Sequence, residues 1–346
     1  MKRRLVANRP LYIDLIVSYD TIMKSKKPPF TLTPTMLSLS LEISKLLGRY
    51  EGLLSPKPQP QLRRENRIKT IQGSLSIEGN TLTLDQMTAI FENKRVVGSE
   101  REILEVRNAI EAYDKAGTFD PNKVKALLSA HGILMRGIIP NAGHFRSTQV
   151  GILKGTKVSH MAPKPEFVPQ LMDDLFIFLK IDKETHAFIK ACVFHYELEF
   201  IHPFSDGNGR IGRLWQHTIL LNHHPLFEYV PVESVIKRRQ KEYYKALETS
   251  DKAGSSNAFI EFSLKAMIEA INEYFDQLRP EPQTAESRLE LAKSHFDNRE
   301  FKRKDYLQFF KTLSTATASR DLEAGVKKRL LKRLGTKARA IYMFYR

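Results

Sequence analysis

The sequence predicts a mainly α-helical protein in three blocks, and three observations carry that reading. From Gln61 to about Leu278 apolar residues recur at helical spacing, with glycine and proline marking the breaks and little strand-like alternation. Inside that block two apolar helical segments flank a glycine-rich loop: Phe188, Cys192, Val193, Tyr196 and Phe200 before it, Leu214, Ile219 and Leu220 after it. Proline-broken stretches, Ser55-Pro56-Lys57-Pro58-Gln59-Pro60 and Arg279-Pro280-Glu281-Pro282, divide it from a shorter block on each side.

The first block, residues 1 to 60, carries one expected helix near Met36 to Leu47. Its apolar run Leu11 to Val17 is interrupted by Asp14, lacks a small-residue cleavage site and is too short to cross a bilayer. The chain of 346 residues has one cysteine, Cys192, on an apolar helical face, where it reads as a buried structural thiol. One cysteine builds no disulfide framework, so nothing calls for an oxidising compartment. A cytoplasmic address without a membrane span is expected.

The chemistry concentrates between His202 and Arg213, which read His-Pro-Phe-Ser-Asp-Gly-Asn-Gly-Arg-Ile-Gly-Arg. Gly207-Asn208-Gly209 can take backbone angles closed to other residues, so successive N–H groups can line one concavity. The positive end of the following helix stands behind it, a setting that favours a phosphate. Arg210 and Arg213 are three apart and share a helix face, and guanidinium forks suit phosphate oxygens. Asp206 is a hard oxygen ligand of the kind Mg²⁺ takes beside phosphates. His202 ends the preceding helix, with an ordinary pKa suited to a general base. A bare Gly-Asn-Gly only turns a chain; with these partners around it the loop reads as a nucleotide phosphate site with a base alongside. His195 reads as packed, and His223-His224 as a loop rather than a metal site.

At every specified position this string resembles the Fic motif, His-x-Phe-x-(Asp/Glu)-Gly-Asn-Gly-Arg-x-x-Arg. The resemblance implies a compact all-helical Fic core that moves AMP from ATP, with Mg²⁺, onto a hydroxyl of a target protein. Residue by residue, it implies His202 as the base toward a Ser, Thr or Tyr hydroxyl and Asp206 as the Mg²⁺ ligand. Gly207, Asn208 and Gly209 hold phosphates through their backbone, the Asn208 side chain assisting. Arg210 takes the β-phosphate and Arg213 the γ-phosphate, with Ile211 and Gly212 completing the nucleotide-binding stretch and Phe204 buried to orient the loop. Relatives that act as kinases carry lysine where Gly209 stands, so Gly209 implies AMP transfer.

A second string, Ser74-Leu75-Ser76-Ile77-Glu78-Gly79-Asn80, is similar to the family's inhibitory pattern, (Ser/Thr)-x-x-x-Glu-(Gly/Asn). Alone, Glu-Gly-Asn after a helical stretch is an ordinary glycine stop. In family order it implies an N-terminal inhibitory helix around 63–78, with Ser74 and Glu78 inhibitory. The Glu78 carboxylate would pair with Arg213 and deny it to the γ-phosphate. Gly143-His144-Phe145-Arg146-Ser147-Thr148-Gln149-Val150-Gly151-Ile152 resembles the flap, a short β-hairpin that clamps a substrate segment by strand addition, with Val150, Gly151 and Ile152 along the nucleotide. The alternative is an ordinary surface hairpin. Tyr243 and Tyr244 fall where relatives place aromatics near adenine, though helical tyrosines also serve as core or rim packing.

The last block, 285–346, reads as helices Ala285 to Phe296 and Arg303 to Phe310. Ser314 to Leu322 follows, resembling the turn and recognition helix of winged-helix domains. The tail Gly335 to Tyr345 would form the wing, with Ile341, Met343 and Tyr345 on alternate positions. From Phe301 onward thirteen Lys/Arg face three Asp/Glu, much of the chain's net +16. Basic winged helices contact nucleic-acid phosphates or proteins, and composition leaves both open.

The full expectation is a Fic helical core of residues 61–278 with a hairpin flap, plus a small winged-helix domain. Its activity would be that of a self-inhibited protein adenylyltransferase. Its partners would be ATP, a target protein or its own hydroxyls, a second copy of the chain, and DNA or protein at the winged helix. Two other readings stand: a hydrolase in which Glu78 serves removal of AMP, and a DNA-binding regulator whose core senses nucleotide.

Overall fold

The computed structural model describes residues 27–52, 60–154, 157–278, 284–297, 299–310, 313–335 and 340–345, with the backbone alone for 151–154 and 157–161. The apolar run 11–17 and nearly all of both proline-broken stretches lie outside the described residues. The chain divides into two units, Met1–Phe275 and Asp276–Arg346.

The first unit is helical: α1 (Pro34–Gly52), α2 (Pro60–Ile77), α3 (Leu84–Phe91), α4 (Glu100–Asp114), α5 (Val124–Leu134), α6 (Val168–Ile181), α7 (Ala187–Ile201), α8 (Asn208–His223), α9 (Val232–Arg238), α10 (Gln240–Ala253) and α11 (Asn257–Leu278). Helix α7 is buried on nearly every side, from Phe188 through Ile201, as the central helix of an all-α core must be. Helix α8 lies closely against it. A methyl group on Gly212 would come within 2.9 Å of the His195 ring, so the glycine sets the approach. Beneath α8, Trp215 is wholly buried, with Phe176 and Phe194 around it, and its indole N–H donates to the Pro121 carbonyl at 3.2 Å. Each such large side chain stabilises the fold by roughly 1.5–3 kcal/mol.

Helix α2 is fixed both along its length and at its end. It packs on α9 at Gly73, where a Cβ would stand 2.6 Å from the backbone carbon of Glu233. Its C-terminus is a Schellman turn: Asn80 N–H donates to Leu75 O at 3.2 Å and Gly79 N–H to Ser76 O at 3.3 Å, with Gly79 at φ 94°. Glu78 is therefore the residue that closes the helix. Side chains from α9 and α10 secure the same end: Lys237 donates to Ser76 O at 2.7 Å, Gln240 to Ile77 O at 3.0 Å and Tyr244 to Ile77 O at 3.4 Å.

The first unit also carries an antiparallel hairpin of β1 (Gly151–Lys154) and β2 (Lys157–Met161), with an irregularity between Ile152 and Leu153. The expected hairpin over 143–152 thus begins later, because 143–150 serve as its anchor.

In the second unit the order is α12 (Ala285–Phe296), β3 (Phe301–Lys302), α13 (Arg303–Phe309), α14 (Thr315–Lys327), β4 (Leu331–Leu334) and β5 (Ile341–Phe344), with antiparallel sheet order β3-β5-β4. Phe296, Phe301, Tyr306, Leu322, Leu331 and Phe344 fill its core. A buried fork ties α12 to α14: Arg288 donates to both carboxylate oxygens of Asp321, at 2.5 and 2.7 Å. Tyr342 and Phe344 turn inward, and Tyr345 is half exposed, because the aromatic rings fill the space against Phe301.

Gly73→Ala is expected to destabilise the protein by about 1–3 kcal/mol through overpacking against the α9 backbone. A lowered urea midpoint at unchanged slope checks it; an unchanged midpoint would mean that α2 is free to move away.

Candidate active site

The loop between α7 and α8 is held by its own residues. His202 ends α7 in the left-handed region, at φ 52° and ψ 57°, an uncommon conformation for a residue with a Cβ. Its ring Nδ1 lies 3.3 Å from the Glu199 carbonyl. Phe204 is fully buried and stacks on His131, ring centroids 3.6 Å apart. The Asn208 side chain spans the loop twice, accepting from Phe204 N–H and donating to Phe204 O, each at 2.9 Å. Gly207 sits at φ 85°, and a Cβ there would meet Met135 Sδ at 2.6 Å. Only glycine fits that corner.

His131 supports the loop from α5. Its Nδ1 accepts from Gly143 N–H at 2.9 Å, so its Nε2 is the donor toward Asp206 O at 3.0 Å. Burial pushes its pKa down to about 4, so it stays neutral in that tautomer at neutral pH. Arg146, 3 % exposed, joins the same loop to the hairpin base: its Nε donates to His202 O at 2.7 Å and its Nη1 to Thr148 O at 2.8 Å.

Two arginines rise from the first turns of α8. Arg210 reaches Glu105 at 3.2 Å and Asp206 at 3.1 Å. Asn80, next to the end of α2, donates to the other oxygen of Glu105 at 3.0 Å, so one carboxylate links Arg210 to the inhibitory-pattern segment. Arg213 is 1 % exposed and committed to α2: Nε donates to Ser74 Oγ at 3.1 Å, and Nη2 to Ser74 O at 3.0 Å and Glu78 Oε1 at 2.7 Å. Its Nη1 is buried with no hydrogen-bond partner among the described residues. Burial works against the charge on Arg213, but Glu78, Tyr243 and Glu199 outweigh it and hold the guanidinium charged. Gly209 faces this group, and a methyl there would overlap Glu78 Oε1 and stand 3.0 Å from Arg213 Nη1.

Behind the arginine, Tyr243 O–H donates to Glu199 Oε1 at 3.3 Å. Burial and then Glu78 push the Glu199 carboxyl up to about 7. His195 is fully buried, depressed to about 3 by burial and then Arg213, with Nδ1 2.5 Å from Gln216 Oε1. An imidazole at a helix end, a glycine corner, a half-exposed carboxylate and two buried guanidiniums converge here, an arrangement able to receive an anion. Its deepest cation is occupied by a carboxylate of the same chain.

A sequence profile of the Fic/DOC family matches residues 121–220, which include this loop. A solved structure, a Fic family protein from Desulfovibrio desulfuricans G20, is 39 % identical with TM-score 0.69, covering 92 % of this chain and 98 % of that one. The chain belongs to the Fic family. Among curated relatives, the protein adenylyltransferase Fic of Culex quinquefasciatus is 32 % identical over 210 residues, 58 % of this chain and 40 % of that protein. The protein adenylyltransferase fic-1 of Caenorhabditis elegans is 28 % identical over 233 residues, 63 % of this chain and 43 % of that protein. The chain thus spans less than half the length of these two curated relatives.

Within this Fic chain the expected site residues do not all fall together. His202, Asp206, Gly207, Gly209, Arg210 and Arg213 converge around the loop, with Ser74 and Glu78 brought onto Arg213. Three positions turn away: the Asn208 amide is spent on Phe204, Ile211 is wholly buried, and Gly212 packs on His195. Tyr243 is 1 % exposed, so its ring has no face left for a base, whereas Tyr244 is 46 % exposed at the rim beside Ile77. Val150 is half-buried before β1; for Gly151 and Ile152 only the backbone is described. Of the pair expected in a loop, His223 ends α8, whereas His224 lies between elements and caps a short 3-10 turn, accepting from Leu226 N–H at 3.1 Å. Glu199, Glu105, His131 and Arg146 join the site without having been expected there. Glu199 alone carries a local signal, an acid three residues before His202.

Gly207→Ala and Gly209→Ala separate backbone need from side-chain space. Gly207→Ala is expected to lower stability by about 1–3 kcal/mol through its positive φ and Met135. Gly209→Ala should cost less, since the flexible end of Glu78 can yield. Urea denaturation of both variants checks the order, and equal losses would contradict it.

Proposed function

We propose that this protein is a self-inhibited protein adenylyltransferase, moving AMP from ATP to a Ser, Thr or Tyr hydroxyl of a target protein. The observation that supports it most is the occupation of Arg213 by Glu78 and Ser74, inside a loop with the full His-to-Arg string. The names of the relatives from Culex and Caenorhabditis agree with that activity.

In the active state His202 is the general base. With Nδ1–H given to the Glu199 carbonyl, the lone pair lies on Nε2. The target hydroxyl loses its proton to Nε2 as its oxygen bonds to the α-phosphorus. The bond from that phosphorus to the bridging oxygen breaks, and pyrophosphate leaves with its electron pair. Backbone N–H groups at the start of α8 and the guanidinium of Arg210 face the growing negative charge, already oriented and so needing no rearrangement. Phe204, His131 and Asn208 keep the loop in that shape.

Among the described residues no three His, Cys, Asp or Glu side chains form a metal cage. A magnesium ion shared with nucleotide phosphates needs only one or two protein carboxylates, and half-exposed Asp206 at the loop mouth fits that demand. When bound, the ion would supply charge neutralisation on the phosphates.

Glu78 restrains the reaction through electrostatics and space together. It holds Nη2 of Arg213, the donor the γ-phosphate would use, and sets a negative charge beside it. Its position is fixed by the Schellman turn and by Lys237 and Gln240, so inhibition is a property of how α2 ends.

Incorporation of α-³²P-labelled ATP into protein tests the reading directly. Glu78→Gly should label itself or lysate proteins at least tenfold more strongly than the unaltered chain, and Glu78→Gly with His202→Ala should not label. Loss of turnover in Glu78→Gly, with AMP removal in the unaltered chain, would instead assign Glu78 to hydrolysis.

A pH dependence follows from Glu199. Its folded pKa of about 7 lies above the ordinary value, so the group is neutral below that pH and gains a negative charge as pH rises through it. ATP affinity should fall about three- to tenfold between pH 6 and 8, by an added repulsion of order 1 kcal/mol. Isothermal titration of Glu199→Gln should show that difference removed; the same fall in both proteins would place its origin elsewhere.

A further inference from the structure

We infer that the second unit binds duplex DNA, with the exposed face of α14 in the major groove and the cations of α13 and β4 on the flanking phosphates. Only residues 310–314 separate α13 from α14 in the chain, and α14 packs inward through Ala318 and Leu322, leaving Thr315, Ala316, Ser319, Arg320, Glu323 and Lys327 on one outward face. That is the second helix of a helix-turn-helix, flanked by a three-stranded sheet with β4 at one edge.

The residue types on the face fit base edges and phosphates. Two hydroxyls and an arginine stand on it, and Arg303 at the start of α13 is bound to it, donating to Ser319 Oγ at 2.9 Å. On β4, Lys332 and Arg333 are exposed. Among the described residues, Arg303, Arg320, Lys327, Lys332 and Arg333 make no ion pair. In the first unit several exposed arginines are held by carboxylates, as in Arg64–Glu92 at 2.5 Å, Arg136–Glu111 at 2.5 Å and Arg238–Glu269 at 2.7 Å. Uncompensated cations at one end of the chain set up a field that attracts a polyanion and release condensed counterions when it binds.

A protein partner fits this face less well. Its only apolar side chain is Ala316, and the unit's exposed large apolar residues, Leu291, Leu330, Leu334 and Tyr345, lie off α14. Duplex RNA fits less well because its major groove is too deep and narrow for a helix, whereas that of B-DNA, about 12 Å wide, admits one.

The test uses the full chain and fluorescence anisotropy with labelled duplex DNA, duplex RNA and single-stranded DNA across a potassium chloride series. Duplex DNA should bind tightest, with log K falling linearly against log salt. The combined variant Arg303→Ala, Arg320→Ala, Lys332→Ala should weaken DNA binding at least tenfold and shallow the slope by about 2–3. Lys327→Glu with Lys332→Glu, which removes no hydrogen bond, should weaken it similarly. Removal of three exposed first-unit cations, Lys45→Ala, Lys125→Ala and Lys180→Ala, should leave it unchanged. No binding at low salt, equal binding of all three nucleic acids, or an equal loss in the first-unit variant would overturn the inference. AMP transfer does not enter the measurement, so the proposal stands or falls separately from the transferase reading.

Discussion

One guanidinium organises this molecule. Arg213 is buried, charged and tied to α2 by Ser74 and Glu78, and a buried arginine without acceptors costs several kcal/mol. The fold satisfies that demand with the end of another helix. Everything that fixes the end of α2 therefore bears on the site: Gly73 against α9, the Schellman turn at Gly79, and Lys237 and Gln240 on the last carbonyls. The carboxylate is not a loose tether that happens to reach the site; it is the terminal residue of a helix secured along its length.

The same arrangement implies how the site opens. Glu78 makes one hydrogen bond to Arg213, whereas Ser74 makes two, so the side chain of Glu78 can leave while α2 stays docked. A phosphate taking its place would keep the guanidinium paired. Its Nη1, without a hydrogen-bond partner among the described residues, is a further donor. Exchange of one anion for another leaves the buried charge compensated throughout, which lowers the cost of switching.

The helical class, the loop and the end of α2 are legible in the sequence because each leaves a local mark. Glycines sit where backbone angles or contacts require them, arginines lie three apart on a helix, and an acid precedes the glycine that stops α2. The hairpin is expected too early because the flap resemblance starts at Gly143, whereas Arg146 and Gln149 hold its base through the His202 and Ala162 carbonyls. Asn208 and Tyr243 mislead for a different reason. Their types suit a nucleotide, but Asn208 is consumed by Phe204, and Tyr243 by Glu199 and by burial. His131, Glu105 and Glu199 complete the site from three helices, and for His131 and Glu105 no sequence spacing reports such contacts.

The central claim is that Arg213 is the seat of the γ-phosphate and that Glu78 holds it. The direct measurement is the ratio of ATP to ADP affinity, by isothermal titration, in the unaltered chain and in Glu78→Gly. The account predicts nearly equal affinities in the unaltered chain and a preference for ATP of about tenfold, or 1.4 kcal/mol, in Glu78→Gly. The preference should vanish again when Arg213→Ala is added. An ATP-to-ADP ratio that is the same with and without Glu78 would contradict it.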